Sequence, residues 1–305
     1  MEYIFITIAV TGFALQFCLT KMYQSRNVST SMTISAAAEK SFFFTMSLSS
    51  VTCLIFLVVK GFRPEFTGFS FFVALLMSSV SVMSGFIGIL VLARGKMSIY
   101  TLFMMLGGVI LPFLAGAVIW KETISFIRIV GLIILTAALF FPVLEKKDVT
   151  GTKTTKMFIF LCFCIFFANG FNSIMSKYHQ TSLMHVDTAS FIFMRDMINA
   201  IIGGTLWFIF RRKNKNNEKP PIDSKSIVVN WMIIVSFAAV YGSAQFFHLM
   251  AARTLDASLQ FPIVTGGTII LATAAGYIFF REKPGKYPSI GIAVASLATL
   301  LFLFG

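Results

Sequence analysis

Two adjacent charged residues interrupt an otherwise apolar stretch of the sequence. Arg195 and Asp196 stand inside "SFIFMRDMINAIIGG" (190–204), in a chain of 305 residues of which 57% are hydrophobic. If such a stretch crosses a bilayer, an ionised side chain at its centre costs about 2.5–3.5 kcal/mol on the insertion scale. Charges kept at that cost usually pair with one another or face a water-filled cavity. The pair is therefore the first candidate for a site that binds a polar or charged ligand.

The composition indicates that these charges do lie in a membrane. Only 12% of the residues are charged, whereas a soluble domain has about 25%, and the mean hydropathy is +0.86. The apolar residues come in blocks of about 20, the length that crosses a hydrocarbon core of about 30 Å. Because a backbone in lipid must satisfy its own hydrogen bonds, we predict an all-α integral membrane protein. The ten predicted transmembrane helices are 3–22, 33–59, 69–93, 97–119, 124–144, 157–178, 187–210, 227–252, 257–280 and 286–304.

The net charge of +13 comes from basic residues in the gaps between the apolar blocks. This distribution indicates contact with anionic membrane lipids and excludes nucleic acid as the partner. About 18 Lys and Arg residues fall on the connections after odd-numbered spans, and about 6 fall on the other side. The positive-inside rule then places the odd connections in the cytoplasm and both termini outside, in a multi-pass protein of the inner or plasma membrane.

The sequence also divides near its middle into two similar halves. "TKMYQS" (20–25) ends the first span and "SKYHQT" (176–181) ends the sixth, which aligns Lys21 with Lys177. Because each half has five spans, an odd number, the second half enters the membrane from the opposite side. We therefore predict two inverted five-helix repeats, 1–145 and 157–305, joined by a linker at 146–156, an architecture that permits alternating access. Further correspondences in the same order are Glu39-Lys40 with Arg195-Asp196, Arg94 with Arg253, and Gly107-Gly108 with Gly266-Gly267.

A recurring pattern ends each half. In the second half it comprises a small-residue helix end, a helix with a proline and small residues, an acidic residue and a Gly-containing last helix. These are Ala251-Ala252, Pro262, Gly266-Gly267, Glu282 and Gly291, and the first half repeats them more loosely around Gly107-Gly108, Glu122 and Gly131. The pattern resembles the drug/metabolite transporter (DMT) superfamily, in particular its EamA-like proteins, over essentially the whole chain. The resemblance implies a basket of ten helices, secondary transport of small metabolites, and termini inside the cell, opposite to the orientation that the charges predict.

Arg195 and Asp196 have charged counterparts in the first half. Glu39 and Lys40 lie at a similar predicted depth in the second span, which enters from the opposite side, so we expect all four residues to approach the bilayer midplane together. One interpretation is a buried ionic lock between the halves, joining Glu39 to Arg195 or Lys40 to Asp196. The other is that one member of each pair lines a cavity and binds a charged or polar substrate. Adjacent residues on a helix point about 100° apart, so each interpretation can hold for part of the pair.

Further polar residues support the interpretation that the charged residues line a cavity. Tyr241, Gln245 and His248 are spaced i, i+4 and i+7, which places them on one helix face, whereas their first-half counterparts are Val82, Phe86 and Ile89. Such asymmetry within a duplicated fold is typical of a binding site. His248, Asp196 or Glu39 could also carry a coupling proton. The predicted substrate-binding residues are Arg195, Asp196, Asn199, Tyr241, Gln245, His248, Asn172, Gln16, Glu39 and Lys40.

The sequence has no motif that predicts an enzyme, a metal or a cofactor. It lacks His-x-x-x-His and Cys-x-x-Cys pairs and a phosphate-binding loop. Glu122 and Glu282 are predicted to be caps at the membrane interface.

The predicted function is secondary-active transport of a small polar or charged metabolite, by a monomer or homodimer, with a proton or sodium ion as coupling ion. The alternatives are a lipid-linked sugar flippase of the same fold, with a lateral opening, and a non-transporting membrane scaffold or sensor, with no continuous polar cavity.

Overall fold

The computed structural model describes residues 1–27, 33–92, 97–144, 156–214, 224–281 and 285–304. Within these residues the regular structure is entirely helical. The helices are α1 (Glu2–Asn27), α2 (Ile34–Val59), α3 (Gly68–Leu92), α4 (Met97–Val118), α5 (Phe126–Phe140), α6 (Lys156–Thr181), α7 (Thr188–Lys213), α8 (Ser224–Ala252), α9 (Ala257–Phe280) and α10 (Lys286–Phe304), with a 3₁₀ turn at Phe141–Leu144.

Each predicted span coincides with one of these helices, although the bounds differ. Eight of the described helices are long and apolar enough to cross a membrane, and the apolar parts of α5 and α10 are shorter. The helix α5 has 15 residues, a length of about 22 Å at 1.5 Å per residue. Pro142 follows it and has no N–H to continue the helical hydrogen bonds, so the predicted span 124–144 ends as a 3₁₀ turn.

Side-chain caps begin several of the helices. The Thr33 side chain accepts a hydrogen bond from the Ala36 amide at the start of α2, and Ser125 does the same for Arg128 at the start of α5. Asp187 caps α7 by accepting from the amides of Ala189 and Ser190. Ser, Thr and Asp are the residues that best satisfy the unpaired amides of a first helical turn, so local sequence fixes where these helices begin.

Eight helices pack into a closed ring. Its order is α1, α8, α2, α7, α3, α6, α4 and α9, after which α9 contacts α1 again. The helices α5 and α10 lie outside the ring, against each other and against α9. Residues of the first and second halves therefore alternate around most of the ring, so both halves can contribute to whatever lies at its centre.

The contact between α4 and α6 is a direct approach of two backbones. A Cβ atom on Gly107 would lie 2.0 Å from the carbonyl oxygen of Phe166, and one on Gly170 would lie 2.7 Å from the carbonyl oxygen of Gly107. Only glycine permits this approach. Small residues at helix contacts are common in membranes, where close packing of helices replaces the hydrophobic effect as a source of stability.

The helices of the ring define two ends of the molecule. Lys60, which follows α2, contacts Asp187 at the start of α7, whereas Asn214 at the end of α7 contacts Ser35 at the start of α2. The two helices are therefore antiparallel. We call the end that carries the connections after α2, α4, α6 and α8 the even-loop end, and the opposite end the odd-loop end.

Candidate functional site

A cavity of about 670 Å³ lies at the centre of the ring. All eight ring helices contribute residues to it, whereas the described parts of α5 and α10 contribute none. Many of these residues are polar, although the outer surfaces of the same helices are apolar. A helix in lipid can keep a polar side chain only where that side chain faces inward, so the ring positions these groups around one space.

Arg195 and Asp196 pair with each other at this cavity. Nη2 of Arg195 lies 2.9 Å from Oδ2 of Asp196, and both residues are buried, with 5% and 2% of their surface exposed. Nη1 of Arg195 donates to Oε1 of Gln245 at 3.3 Å, and Ser78 donates to the Arg195 carbonyl oxygen at 2.9 Å. The positive charge of Arg195 and the negative charge of Asp196 neutralise each other, and both residues line the cavity.

The predicted approach of Glu39 and Lys40 to this pair is wrong. Nδ2 of Asn214 donates to Oε2 of Glu39 at 2.9 Å, and Nζ of Lys40 donates to the carbonyl oxygen of Asn27. Asn214 is 19 residues beyond Arg195, about 28 Å along α7. The helices α2 and α7 are antiparallel and have 26 residues each, about 39 Å, so residues within about 11 Å of opposite ends do not meet at the middle.

Neither Glu39 nor Lys40 is among the described residues that line the cavity. The predicted ionic lock of Glu39 with Arg195, or of Lys40 with Asp196, is not formed. The charged partner of Arg195 is instead its neighbour in sequence, on the same helix. The other predicted site residues do line the cavity, and these are Arg195, Asp196, Asn199, Tyr241, Gln245, His248, Asn172 and Gln16.

His248 is held at the cavity by Gln260, a residue that sequence analysis missed. Nε2 of Gln260 donates to the His248 carbonyl oxygen at 2.7 Å and lies 3.2 Å from Nδ1 of the same residue. A carbonyl can only accept, so the amide nitrogen must face it, and Nδ1 becomes the acceptor in a neutral ring. The ring proton then resides on Nε2, which makes His248 a hydrogen-bond donor.

Several cavity oxygens have no hydrogen-bond partner among the described residues. They are Oδ1 of Asn172, Oδ1 of Asn199 and Oγ1 of Thr268, all buried. A buried polar atom without a partner costs about 1–3 kcal/mol. Because these atoms are buried, a solute or water can donate to them only after the side chains rotate toward the cavity. The Asp196 carboxylate is an acceptor in the cavity lining, beside the donors of Arg195 and His248. Sequence analysis missed Thr268, whose signal is its position seven residues after Phe261 on the inner face of α9.

Aromatic rings form part of the cavity wall. The His248 ring packs edge-on against Phe13 and Phe261, with centroid distances of 5.7 and 5.5 Å. Phe44 and Phe237 form a second edge-to-face pair at 5.3 Å. Aromatic faces beside oriented polar groups are typical of sites for small organic molecules.

Hydrogen bonds across the ring close the cavity at the even-loop end. Arg253, at the end of α8, donates from Nε to Oε1 of Gln180 on α6 at 2.9 Å and from Nη2 to Thr188 on α7 at 2.8 Å. Lys177 on α6 donates to the carbonyl oxygen of Leu255, just after α8. The helices α6 and α8 occupy opposite positions in the ring, so these contacts span its diameter.

Glu122 joins the first half to this closure. Its carboxylate accepts from the amides of Ala257 and Ser258 at 2.6 and 2.9 Å, and it lies 3.8 Å from Nζ of Lys177. The side chains of Glu122 and Lys177 are each only 5% exposed. Glu122 thus caps α9, a helix of the other half, rather than steadying its own loop. We call Glu122, Lys177, Gln180, Thr188 and Arg253 the polar closure. Glu282, also predicted to be a cap, lies outside the described residues.

A second ion pair ties α2 to α7 at the same end, near the surface. Nζ of Lys60 lies 2.9 Å from Oδ2 of Asp187, which also accepts from Oγ of Ser190 at 2.6 Å. Burial raises the pKa of Asp187, but the hydrogen bonds from Ser190 and Lys60 outweigh it and leave the pKa below its ordinary value. The same hydrogen bond raises the pKa of Lys60. Both groups are therefore held in their charged forms.

The odd-loop end has no comparable bridge among the hydrogen bonds of the described residues. There, Asn27 of α1 bonds Asn230 of α8, and Asn214 of α7 bonds Ser35 of α2, both between ring neighbours. Among the described residues, the hydrogen bonds that span the diameter of the ring therefore lie at the even-loop end. In the part of the chain that the structure describes, no group of three or more His, Cys, Asp or Glu side chains is placed to hold a metal ion.

These features define a multi-pass helical membrane protein with a central polar cavity. No protein-family model matches the chain. A segment of 62 residues, 20% of this chain, is 32% identical to the uncharacterized membrane protein YvaE of Bacillus subtilis (strain 168), and it spans 52% of that protein. The chain thus covers about half the length of this relative. A crystal structure of another protein is similar over 97% of this chain and 98% of that one, with a TM-score of 0.72 and 13% identity. That likeness extends to the fold alone.

Proposed function

We propose that the protein is a secondary-active transporter that moves a small polar or charged metabolite by alternating access. The observation that carries the proposal is a polar cavity in the middle of a ring of apolar helices, closed at one end by hydrogen bonds across the ring. A carrier needs a central site and a barrier that can change sides. The solute crosses without chemical conversion.

The proposal includes ten spans arranged as two inverted repeats, as in the EamA-like DMT proteins. Exchanging α1 with α6, α2 with α7, α3 with α8, α4 with α9 and α5 with α10 leaves the order of contacts around the ring unchanged. This invariance supports the repeat. Lys177 and Arg253 of the polar closure are also the residues that the sequence register aligns with Lys21 and Arg94. Arg94 lies outside the described residues.

The solute is proposed to have both hydrogen-bond donors and acceptors. Arg195 favours a carboxylate or phosphate, although Asp196 offsets its charge. The Asp196 carboxylate favours donors such as amino or hydroxyl groups, and the amide oxygens of Asn172 and Asn199 would do so after rotation of their side chains. The aromatic wall accommodates an apolar portion. Amino acids, organic acids and nucleotide-type metabolites satisfy these conditions. A proton or sodium ion is the proposed coupling ion, with Asp196 as its carrier.

Uptake into proteoliposomes tests the proposal. The purified chain is reconstituted, and a panel of radiolabelled amino acids, organic acids and nucleotides is offered with and without a proton or sodium gradient. We expect at least one compound to accumulate above protein-free liposomes and to compete with its unlabelled form. If the folded protein transports no compound of these classes under any gradient, the proposal is wrong.

A cysteine pair tests the alternation itself. By the exchange of halves, the counterpart of the α6–α8 closure is a contact of α1 with α3 at the odd-loop end. Thr20→Cys and Gly85→Cys place thiols on these helices at the cavity, and a Cβ on Gly85 meets nothing within 4 Å. In a background without the four native cysteines, we expect the pair to cross-link faster during transport than without solute. Each single variant is the control.

Orientation is a separate part of the proposal. The charge distribution places the odd-loop end in the cytoplasm, so the polar closure of this structure would face outward; the family resemblance implies the reverse. A single cysteine introduced within 145–156 and labelled in intact cells decides between the two. Labelling by an impermeant maleimide would refute the orientation that the charges predict.

A lipid-linked sugar flippase of the same fold is the second candidate. The observation that favours it is an apolar crevice, described below, which shares Phe42 and Val82 with the cavity. Transport of a soluble metabolite in the uptake assay would favour the carrier. A scaffold or sensor would bind without transport, and solute binding in the absence of any uptake would favour that alternative.

A further inference from the structure

A second cavity, almost wholly apolar, lies between α2, α3 and α7. Its volume is about 310 Å³, and most of its lining is Phe42, Val82, Phe86, Ile202, Leu206 and Phe210. The single polar side chain in this lining, Ser79, donates to the Leu75 carbonyl oxygen of its own helix at 2.8 Å. The crevice thus offers no hydrogen bond to a polar ligand, but it matches a hydrocarbon chain.

The crevice faces the outer surface of the ring. Met83, which lines it, is 64% exposed, and Ile201, beside Ile202, is 61% exposed. In a helix of a membrane ring such surfaces contact lipid acyl chains. The crevice lies at the odd-loop end, because Phe210 is within one turn of the end of α7 and Phe42 is two turns from the start of α2.

Three exposed basic residues follow Phe210 directly. The guanidinium groups of Arg211 and Arg212 lie over the rings of Trp207 and Phe208, at 4.8 and 4.4 Å. Lys213 is seven residues after Leu206, two helical turns, so it lies on the same face of α7 as the crevice lining. Basic side chains beside aromatic rings at a helix end are typical of the membrane interface, where they attract anionic headgroups.

We propose that this crevice binds one acyl chain of an anionic phospholipid whose headgroup is held by Lys213, with Arg211 and Arg212 adding positive charge at the same end of α7. The apolar lining supplies affinity for the chain, and the cationic cluster supplies the preference for an anionic headgroup. Phe42 and Val82 also line the central cavity. The bound chain therefore packs against side chains that form the wall of the transport site.

Lipid binding to the purified 305-residue protein tests the predicted preference for an anionic headgroup. Native mass spectrometry in detergent measures retention of phosphatidylglycerol and of phosphatidylcholine with identical acyl chains. We expect tighter binding of phosphatidylglycerol, and we expect Arg211→Gln with Lys213→Gln to weaken it by about fivefold per charge removed. Binding of phosphatidylcholine should weaken less, because its choline cation offsets the charge of its phosphate. Arg281→Gln with Lys286→Gln removes the same charge from the same end, away from the crevice, and should leave both lipids unaffected.

A second variant tests whether the crevice binds the acyl chain of the lipid. Leu206→Trp fills the crevice and should reduce retention of both lipids, whereas Ile201→Trp, five residues earlier on the outer surface of α7, should not. Equal binding of the two lipids by the unsubstituted protein, equal losses in the two charge variants, or full retention in Leu206→Trp would each overturn the proposal. No solute is present in these measurements, so their failure would leave the proposed transport function untouched.

Discussion

The central cavity and the polar closure both bury charged residues, but they pair these residues in different ways. At the cavity Arg195 pairs with Asp196, its neighbour on the same helix, and nearby oxygens of Asn172 and Asn199 have no partner among the described residues. At the closure Lys177 and Glu122 come from different halves and bond the backbone at the start of α9. Pairing within a helix leaves the helices independent, whereas pairing between helices fixes their arrangement.

The comparison predicts that the closure, not the cavity, carries the larger share of stability. Glu122→Ala removes the cap of α9 and leaves Lys177 buried without a carboxylate, which should cost about 3–5 kcal/mol in the free energy of unfolding. Unfolding in detergent, followed by circular dichroism against denaturant, measures this loss. Adding Lys177→Met should restore much of it. A loss below about 1 kcal/mol, typical of an exposed ion pair, would contradict the distinction.

At the cavity, a substitution should reduce the affinity for the solute more than it reduces stability. Arg195→Ala removes a charged donor, so the affinity for the transported solute should fall by about ten- to a hundredfold, the worth of a hydrogen bond to a charged group. Solute binding and the unfolding midpoint are measured on the same preparation. Arg195→Lys, which keeps the charge, should retain part of the affinity. If Arg195→Ala instead unfolds the protein while binding by the folded fraction is unchanged, the pair is structural.

A smaller effect is expected from the residue that orients His248. Gln260→Leu removes the donor to Nδ1 and to the carbonyl oxygen of His248, so the ring loses its fixed proton position and solute affinity should fall by about tenfold, the worth of one neutral hydrogen bond. His248→Ala should have a similar effect, and the double variant little more than either alone. Additive losses in this cycle would show that Gln260 does not act through His248.

The smallest effect should come from the Lys60–Asp187 pair at the surface of the even-loop end. Asp187→Asn keeps an oxygen to cap α7 but loses the charge, which should cost about 0.2–1 kcal/mol at neutral pH. Because the folded state lowers the pKa of Asp187, this stability exists above the unfolded pKa of about 3.9 and disappears as pH falls through the lower folded value. The raised pKa of Lys60 sets the upper limit, since its contribution is lost as pH rises through that value.

Unfolding midpoints of the two proteins should therefore differ near pH 7 and converge at low pH. Glu65→Gln is the control. The Glu65 carboxylate also contacts Lys60, but at 3.4 Å rather than 2.9 Å, and its side chain is 62% exposed, so removing its charge should have a smaller effect. A constant difference between the proteins from pH 3 to pH 7 would assign the effect to the cap rather than to the charge.

The sequence predicted the elements of the fold well because membrane helices leave a strong signal. Blocks of apolar residues give the helices, and a polar residue in such a block has to face inward. For this reason Asn199, Gln245 and His248 lie at the cavity, as their spacing indicated. The approach of Glu39 to Arg195 was predicted wrongly because α2 and α7 are longer than the membrane core requires, so residues two turns from opposite ends remain far apart.

Other site residues could not be recognised without the arrangement of helices. Gln260 adjoins Phe261 and Pro262 in an apolar helix, and its role depends on His248, which approaches it only because α8 and α9 form a hairpin. Glu122 adjoins Lys121 in a short connection, which suggested an interfacial cap. Its bonds to Ala257 and Ser258, 135 and 136 residues away, depend on the packing of the two halves.

The glycine contact between α4 and α6 limits how the ring can change shape. With the Phe166 carbonyl so near the Gly107 backbone that a methyl group would overlap it, these two helices have no side-chain layer between them to slide upon. The two helices, one from each half, therefore move as a rigid pair. Widening or narrowing of the central space must then come from movement of the other six ring helices relative to this pair.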